Sequence, residues 1–146
     1  MKVLSTQEPY ATLIKNKLKY IETRSWKTDY RGDLYIHASL SKKYLKSITN
    51  PEVLKLIEGM ELSYGKIICR VNLKDCVYMT KAYIESLKLI NYREFQLGIY
   101  EEGRFAWVFE DIVSLDYPIN AKGKLNIWTY EDESGQKEKV KQLELF

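Results

Sequence analysis

The stretch from Gly65 to Asp75 sets Ile67, Cys69, Val71 and Leu73 on one side and Lys66, Arg70, Asn72 and Lys74 on the other. A period of two over that length is the pattern of a strand with one face on a core. Leu34, Ile36 and Ala38 alternate with Tyr35 and His37, and Phe105, Trp107 and Phe109 with Ala106, Val108 and Glu110. Lys19 to Trp26 is rich in β-branched and aromatic residues and reads as a further strand. Short helical patterns lie between these strands. They cover about Pro9–Leu18, Ser41–Thr49, a helix opened by Asn50-Pro51, and Thr80–Ile90. Pro118 and Gly123 punctuate a last loop before Leu125, Ile127 and Trp128. Strands and helices do not alternate strictly, so an α+β fold on a small mixed sheet or barrel is expected, not a doubly wound parallel sheet.

At 146 residues the chain has the length of one domain. It shows no internal repeat and no Pro/Gly-rich linker. Residues 1–130 read as the domain. Residues 131–146 read as a polar, charged tail broken at Ser134-Gly135.

No apolar run approaches the ~20 residues of a membrane span. The start, Met1 to Pro9, has no apolar core of signal-peptide length. A cytoplasmic protein with no membrane partner is expected. Cys69 and Cys76, with one histidine, supply neither a disulfide framework nor a closed zinc site. No metal and no cofactor are expected. Residues 1–50 carry 10 Lys/Arg against 4 Asp/Glu, whereas residues 51–146 carry 13 against 16. A basic first third suits either a polyanionic partner or a solvated surface.

The residues that best fit a chemical site are Lys19, Glu22 and Arg24. Strand geometry puts Tyr20, Glu22, Arg24 and Trp26 on one face. Glu22 can accept from the amino edge of a base or act as a general base. Arg24 can hold a phosphate or orient Glu22, and Tyr20 or Trp26 can stack on a base. Alternation sends Lys19 to the other face, so Lys19 joins the group if the helix-to-strand junction bends. The plain alternative is a surface Glu22–Arg24 pair worth little. Arg31 at the Arg31-Gly32-Asp33 turn, His37 on its strand's polar face and Arg104 after a tight turn are further candidates for binding. A lone histidine is more often a hydrogen-bonded structural residue than a catalyst, although its pKa suits acid–base work. Cys69 reads as core.

These segments resemble a known family. Gln7 to Ala11, Lys19 to Trp26 and Tyr30 to Ala38 are similar to the ASCH domain (activating-signal-cointegrator homology). Its hallmark is glycine-x-lysine-x-x-glutamate-x-arginine, which Lys19, Glu22 and Arg24 match. Lys17 stands at the glycine position. Leu97 to Tyr100, Gly103 to Trp107, Pro118 and Gly123 to Trp128 extend the resemblance to about residues 3–130. They look most like the endothelial-overexpressed-factor-like branch.

The resemblance implies a PUA-like fold, a small mixed β-barrel with short helices packed on its openings. It implies a cleft holding Lys19, Glu22 and Arg24, and RNA, a nucleotide or a modified nucleoside as partner. It also implies an alternative, a metal-independent hydrolase, since some members act as N4-acetylcytidine amidohydrolases and some as ribonucleases. The amidohydrolase type carries threonine where this chain has Glu22. In this chain Glu22 would have to activate a water instead.

Beyond that resemblance, Gln142-Leu143-Glu144-Leu145-Phe146 resembles the peptide that docks bacterial proteins on the DNA-polymerase sliding clamp. Gln142, Leu143, Leu145 and Phe146 match its fixed positions. The peptide would make this a replication-associated interaction protein. The alternative is that Leu143, Leu145 and Phe146 pack back on the barrel.

Overall fold

A computed structural model of the chain describes residues 1–131. The clamp-like peptide, Gln142 to Phe146, lies outside the described residues. The order is β1 (Lys2–Thr6), α1 (Tyr10–Lys15), β2 (Ile21–Arg24), β3 (Gly32–Ala38), α2 (Lys43–Ser47), α3 (Pro51–Ile57), β4 (Lys66–Tyr78), α4 (Lys81–Ile90), α5 (Tyr92–Gln96), β5 (Phe105–Asn120) and β6 (Ile127–Thr129). One mixed sheet runs β2-β5-β4-β3-β1-β6, with β1 parallel to β3 and the other pairs antiparallel. The fold is α+β and PUA-like, a half-barrel with short helices, as the resemblance implied.

The curl comes from the long β4–β5 pair. Its register slips three times. At one slip Asp111 and Ile112 of β5 stand opposite Val71 alone, so β5 carries one extra residue, and Asp111 takes φ 51°. Bulges bend a strand and increase its twist, which turns a flat ladder into a curved one. A bulge in β4 also alters the expected inward face. Ile36 pairs with Cys69 but His37 with Ile67, so Ile68 is the extra residue. Ile68, Cys69, Val71 and Leu73 therefore join the main core, while Ile67 goes to the other side.

β3 is buried on both faces. Leu34, Ile36 and Ala38 pack with Leu4, Trp107 and Phe109, under Ala11 and Ile14 of α1. Tyr35 packs with Val3, Ile67, Leu115 and Trp128 in a second cluster. The half-exposed β3 expected from its alternation is corrected here: β6 and the far end of β5 cover its second side. His37, read as sitting on a polar face, is fully buried.

Capping residues set three helix starts among the described residues, and Asn91, accepting from the Glu94 amide, opens α5. The Asn50 side chain accepts from the Glu52 amide ahead of Pro51, and Thr80 accepts from the Tyr83 amide to open α4. Each such cap stabilises by about 1 kcal/mol. α1 has its other side against Val53 and Leu97. Tyr83, Ile84 and Leu87 of α4 cover Ile21 and Ala106. No helix among the described residues is long and apolar enough to cross a membrane.

Candidate functional site

The turn out of α1 sets the site. The Leu18 amide bonds to the Leu13 carbonyl, and the Lys17 amide to the Ile14 carbonyl. This is a Schellman motif, with the left-handed residue at Lys17, φ 61°. Leu18 and Leu13 share one apolar cluster, the contact that accompanies this motif. Lys17 occupies the hallmark's glycine position. Glycine suits that position because it adopts positive φ without steric cost. Here the turn is kept although the residue is lysine.

The chain then meets Glu94 of α5. Glu94 Oε1 accepts the Tyr20 amide at 2.6 Å, and the Phe109 amide donates to the Tyr20 carbonyl at 2.8 Å. Lys19 is bent inward at this junction and is 1% exposed. Its Nζ donates to the Ile21 carbonyl and lies 5.5 Å from the centre of the Tyr10 ring. Burial pulls the Lys19 ammonium below its ordinary pKa, and the Glu94 and Glu22 carboxylates oppose the shift. Burial pushes Glu94 up, with Lys19 as the main opposing influence.

Glu22 and Arg24 both face inward on β2. Glu22 is 7% exposed, and its Oε2 accepts from Arg24 Nη2 at 3.1 Å. The same Nη2 donates to the Ser5 carbonyl at 2.6 Å and faces Thr6 Oγ1 at 3.4 Å. β2 is one edge of the sheet and β1 lies next to the other edge. Arg24 thus spans the open side of the half-barrel. Trp26 follows, with its carbonyl accepting from Trp107 Nε1 at 3.2 Å and its ring edge-on to Trp107 at 4.7 Å.

These residues wall a cavity of about 350 Å³. Glu22, Arg24, Trp26 and Arg104 line it, joined by Gln7, Tyr10 and Tyr44. Its volume falls in the ~300–1,000 Å³ range of small-molecule sites. Arg104 holds the wall as well: Nε donates to the Ile99 carbonyl at 3.2 Å, and Nη2 reaches the Thr23 carbonyl at 3.4 Å. Gly98 packs so closely there that an added Cβ would come within 2.9 Å of Thr23. Burial, and then Glu22, push the Tyr10 hydroxyl up, so it is a neutral donor near pH 7. Gln7 Oε1 is buried and has no hydrogen-bond partner among the described residues.

A second cavity, about 570 Å³, adjoins the first and shares Ser5, Gln7, Arg24 and Trp26 with it. His37 lines this one. Its Nε2 lies 2.7 Å from the Ala121 carbonyl, which can only accept, so Nε2 carries the proton. Nδ1 then accepts from Ser5 Oγ at 3.0 Å, and Ser5 Oγ accepts from Trp128 Nε1 at 3.1 Å. Burial holds the imidazole below its ordinary pKa, partly offset by the Ala121 bond.

The other residues singled out in the sequence lie elsewhere. Lys19 is buried beside Tyr10 and lines neither cavity. Tyr20 is 41% exposed and lines neither. Arg31 is exposed at the surface, bonded to the Thr28 and Tyr30 carbonyls and 3.5 Å from Asp75. Cys69 is core, and burial pushes its thiol up to about 12. No three His, Cys, Asp or Glu groups among the described residues are placed to hold a metal ion.

Sequence reasoning missed Tyr10, Gln7 and Glu94 as site residues. Tyr10 continues the apolar stripe of α1 and so reads as core. Gln7 lay inside the family-like Gln7–Ala11 stretch, and that was the available signal. Glu94 lies 74 positions beyond Tyr20 on a five-residue helix, too short to carry a periodic pattern.

Residues 4–145 match the family model of the ASCH domain. Human activating signal cointegrator 1 is 30% identical over 81 residues. That match covers 51% of this chain but 14% of that protein, so the chain spans a small part of the relative it matches. Among solved structures, ASCH from Zymomonas mobilis aligns with a TM-score of 0.56 at 17% identity, covering 96% of this chain and 93% of that one. A point mutant of the same protein gives 0.56 at 16% identity, covering 97% and 94%. At these identities the structures speak for the fold. Together with the match over nearly its whole length, the half-barrel and the Lys19–Glu22–Arg24 spacing identify this chain as a member of the ASCH domain family.

Proposed function

We propose that the smaller cavity binds the base of a ribonucleotide or modified nucleoside. The observation that carries this reading is a buried carboxylate, Glu22, in a half-open cavity with aromatic side chains from Tyr10, Trp26 and Tyr44. A carboxylate accepts from an exocyclic amino group, as it does from cytosine N4. Aromatic side chains take the face of a base, and such stacking contributes ~1–3 kcal/mol. Gln7, whose amide oxygen has no hydrogen-bond partner among the described residues, offers a second acceptor. Membership of a family associated with RNA points the same way. In this reading Lys19 supports the site from behind Tyr10, and Arg24 orients Glu22.

The test is a titration with free nucleosides, including N4-acetylcytidine, and with a short single-stranded RNA, repeated for Glu22→Gln. Nucleoside binding that weakens at least about tenfold in Glu22→Gln, the scale of a lost charge-assisted hydrogen bond, supports a base pocket. Salt-sensitive RNA binding with no nucleoside response would mean a reader surface and would overturn it. Release of acetate from N4-acetylcytidine in the same samples would turn the binder into a hydrolase.

A further inference from the structure

The second cavity differs from the first in one respect. Its ionisable lining residues are Arg24, His37, Lys122 and Lys124, with no carboxylate among them. The first cavity has Glu22 to balance its cations. Lys122 and Lys124 have no acidic partner within 4 Å among the described residues, where the ion pairs join Arg24 to Glu22, Arg31 to Asp75 and Lys74 to Glu110. Lys124 Nζ instead lies 6.0 Å from the centre of the Trp128 ring. An unbalanced cluster of cations around a concave surface focuses potential and attracts anions.

The cluster is also held in place. The lysines flank Gly123, on the loop between β5 and β6. A Cβ at Gly123 would sit 2.8 Å from Ser5 Oγ and 3.0 Å from His37 Cε1, so the backbone is seated directly on those side chains. The His37–Ala121 bond fixes the loop at its start. His37 is thus a positioning residue with both ring nitrogens bonded inside the protein. Arg24, Gln7, Ser5 and Trp26 wall both cavities, so a ligand filling both would pass beside them.

We infer that the Lys122–Lys124 cavity is a phosphate subsite, which receives the phosphate attached to the nucleoside whose base enters the Glu22 cavity. This rests on the base-pocket reading and deepens it: the ligand is a nucleotide, terminal or within a single strand, and not a free nucleoside. Lys122 and Lys124 supply the charge. Arg24, already committed to Glu22 and Ser5, marks the boundary between base and phosphate.

The experiment uses the full chain and its Lys122→Gln/Lys124→Gln variant. Both residues are exposed, so the fold is expected to survive, and circular dichroism checks it. The probes are nucleosides, their 3′- and 5′-monophosphates and the matching dinucleoside monophosphates. A phosphate should tighten binding at least about tenfold over the nucleoside, the scale of one charge-assisted hydrogen bond. The double variant should lose that gain, and for a single-stranded oligonucleotide its log–log salt slope should be shallower by about 0.7, the share of one phosphate. A gain seen with the monophosphates assigns a terminal phosphate; one confined to the dinucleotides assigns a phosphodiester. Nucleoside binding that depends on Glu22 but gains nothing from phosphate overturns the subsite and leaves the base pocket standing. A gain that persists in the double variant also overturns it. Phosphate-dependent binding lost in the double variant but indifferent to Glu22→Gln keeps the subsite and removes the base pocket. No binding by any probe overturns both.

Discussion

Glu94 and Tyr20 are 74 positions apart in the chain, yet the carboxylate of one accepts the backbone amide of the other at 2.6 Å. This bond ties α5 to the start of β2, where Lys19 turns inward. Glu94 is 2% exposed, and removing it leaves the part-buried Tyr20 amide without its acceptor and strips a carboxylate from beside the Lys19 ammonium. Glu94→Ala should cost about 1–3 kcal/mol, the penalty for an unsatisfied buried group. Glu94→Gln keeps an acceptor and should cost less. Denaturant melts at pH 7 measure both, and equal losses would remove the hydrogen bond as the cause.

Lys17 carries a side chain through a left-handed turn, φ 61°. That conformation costs a non-glycine residue roughly 1–2 kcal/mol, offset in part by the ~0.5–1 kcal/mol of entropy that glycine forfeits on folding. Lys17→Gly should therefore stabilise by up to about 1.5 kcal/mol in denaturant melts. Lys17→Val, β-branched at positive φ, should destabilise. A loss of stability in the glycine variant would contradict the Schellman reading.

Gly123 leaves no room for a methyl group against Ser5 and His37. Gly123→Ala should cost about 1–3 kcal/mol, as overpacking does. It should also move the indole N–H resonance of Trp128, which donates to the same Ser5 hydroxyl. A stable variant with that resonance unmoved would show that the loop is not seated there.

His37 is folded in as a neutral ring, with its pKa below the ordinary 6.5 because of burial. Its unfolded form takes up a proton first as pH falls. Stability tied to His37 is therefore present above about 6.5 and is lost as pH drops through that value toward the lower folded pKa. The wild type should lose more stability than His37→Gln between pH 8 and pH 5.5. Parallel pH profiles in urea melts would exclude a neutral buried histidine.

The strands with strong alternation were legible early. Cys69, Val71 and Leu73 face the core as their spacing required, and Asn50 and Thr80 cap the helices their positions suggested. β1 was not legible. Its five residues bury Val3 and Leu4 in different clusters, so they display no alternation. The burial of His37 was equally hidden, because Trp128 and Leu115, which share the second face of β3, are distant in sequence. Lys19 escaped a strict period-two reading because it precedes the ladder, at a junction bent by the Lys17 turn and the Glu94 bond.

By itself the sequence determined local periodicity, caps and the motif spacing of Lys19, Glu22 and Arg24, since these depend on neighbours a few residues away. The tertiary structure decided which of those residues meet. Bulges at Ile68 and Asp111 set the curl of the sheet, and that curl carries Arg24 to Ser5. The same curl places a loop more than 80 residues from His37 against its ring. Bulge positions depend on how two long strands share one register, a pairwise property that neither strand encodes alone.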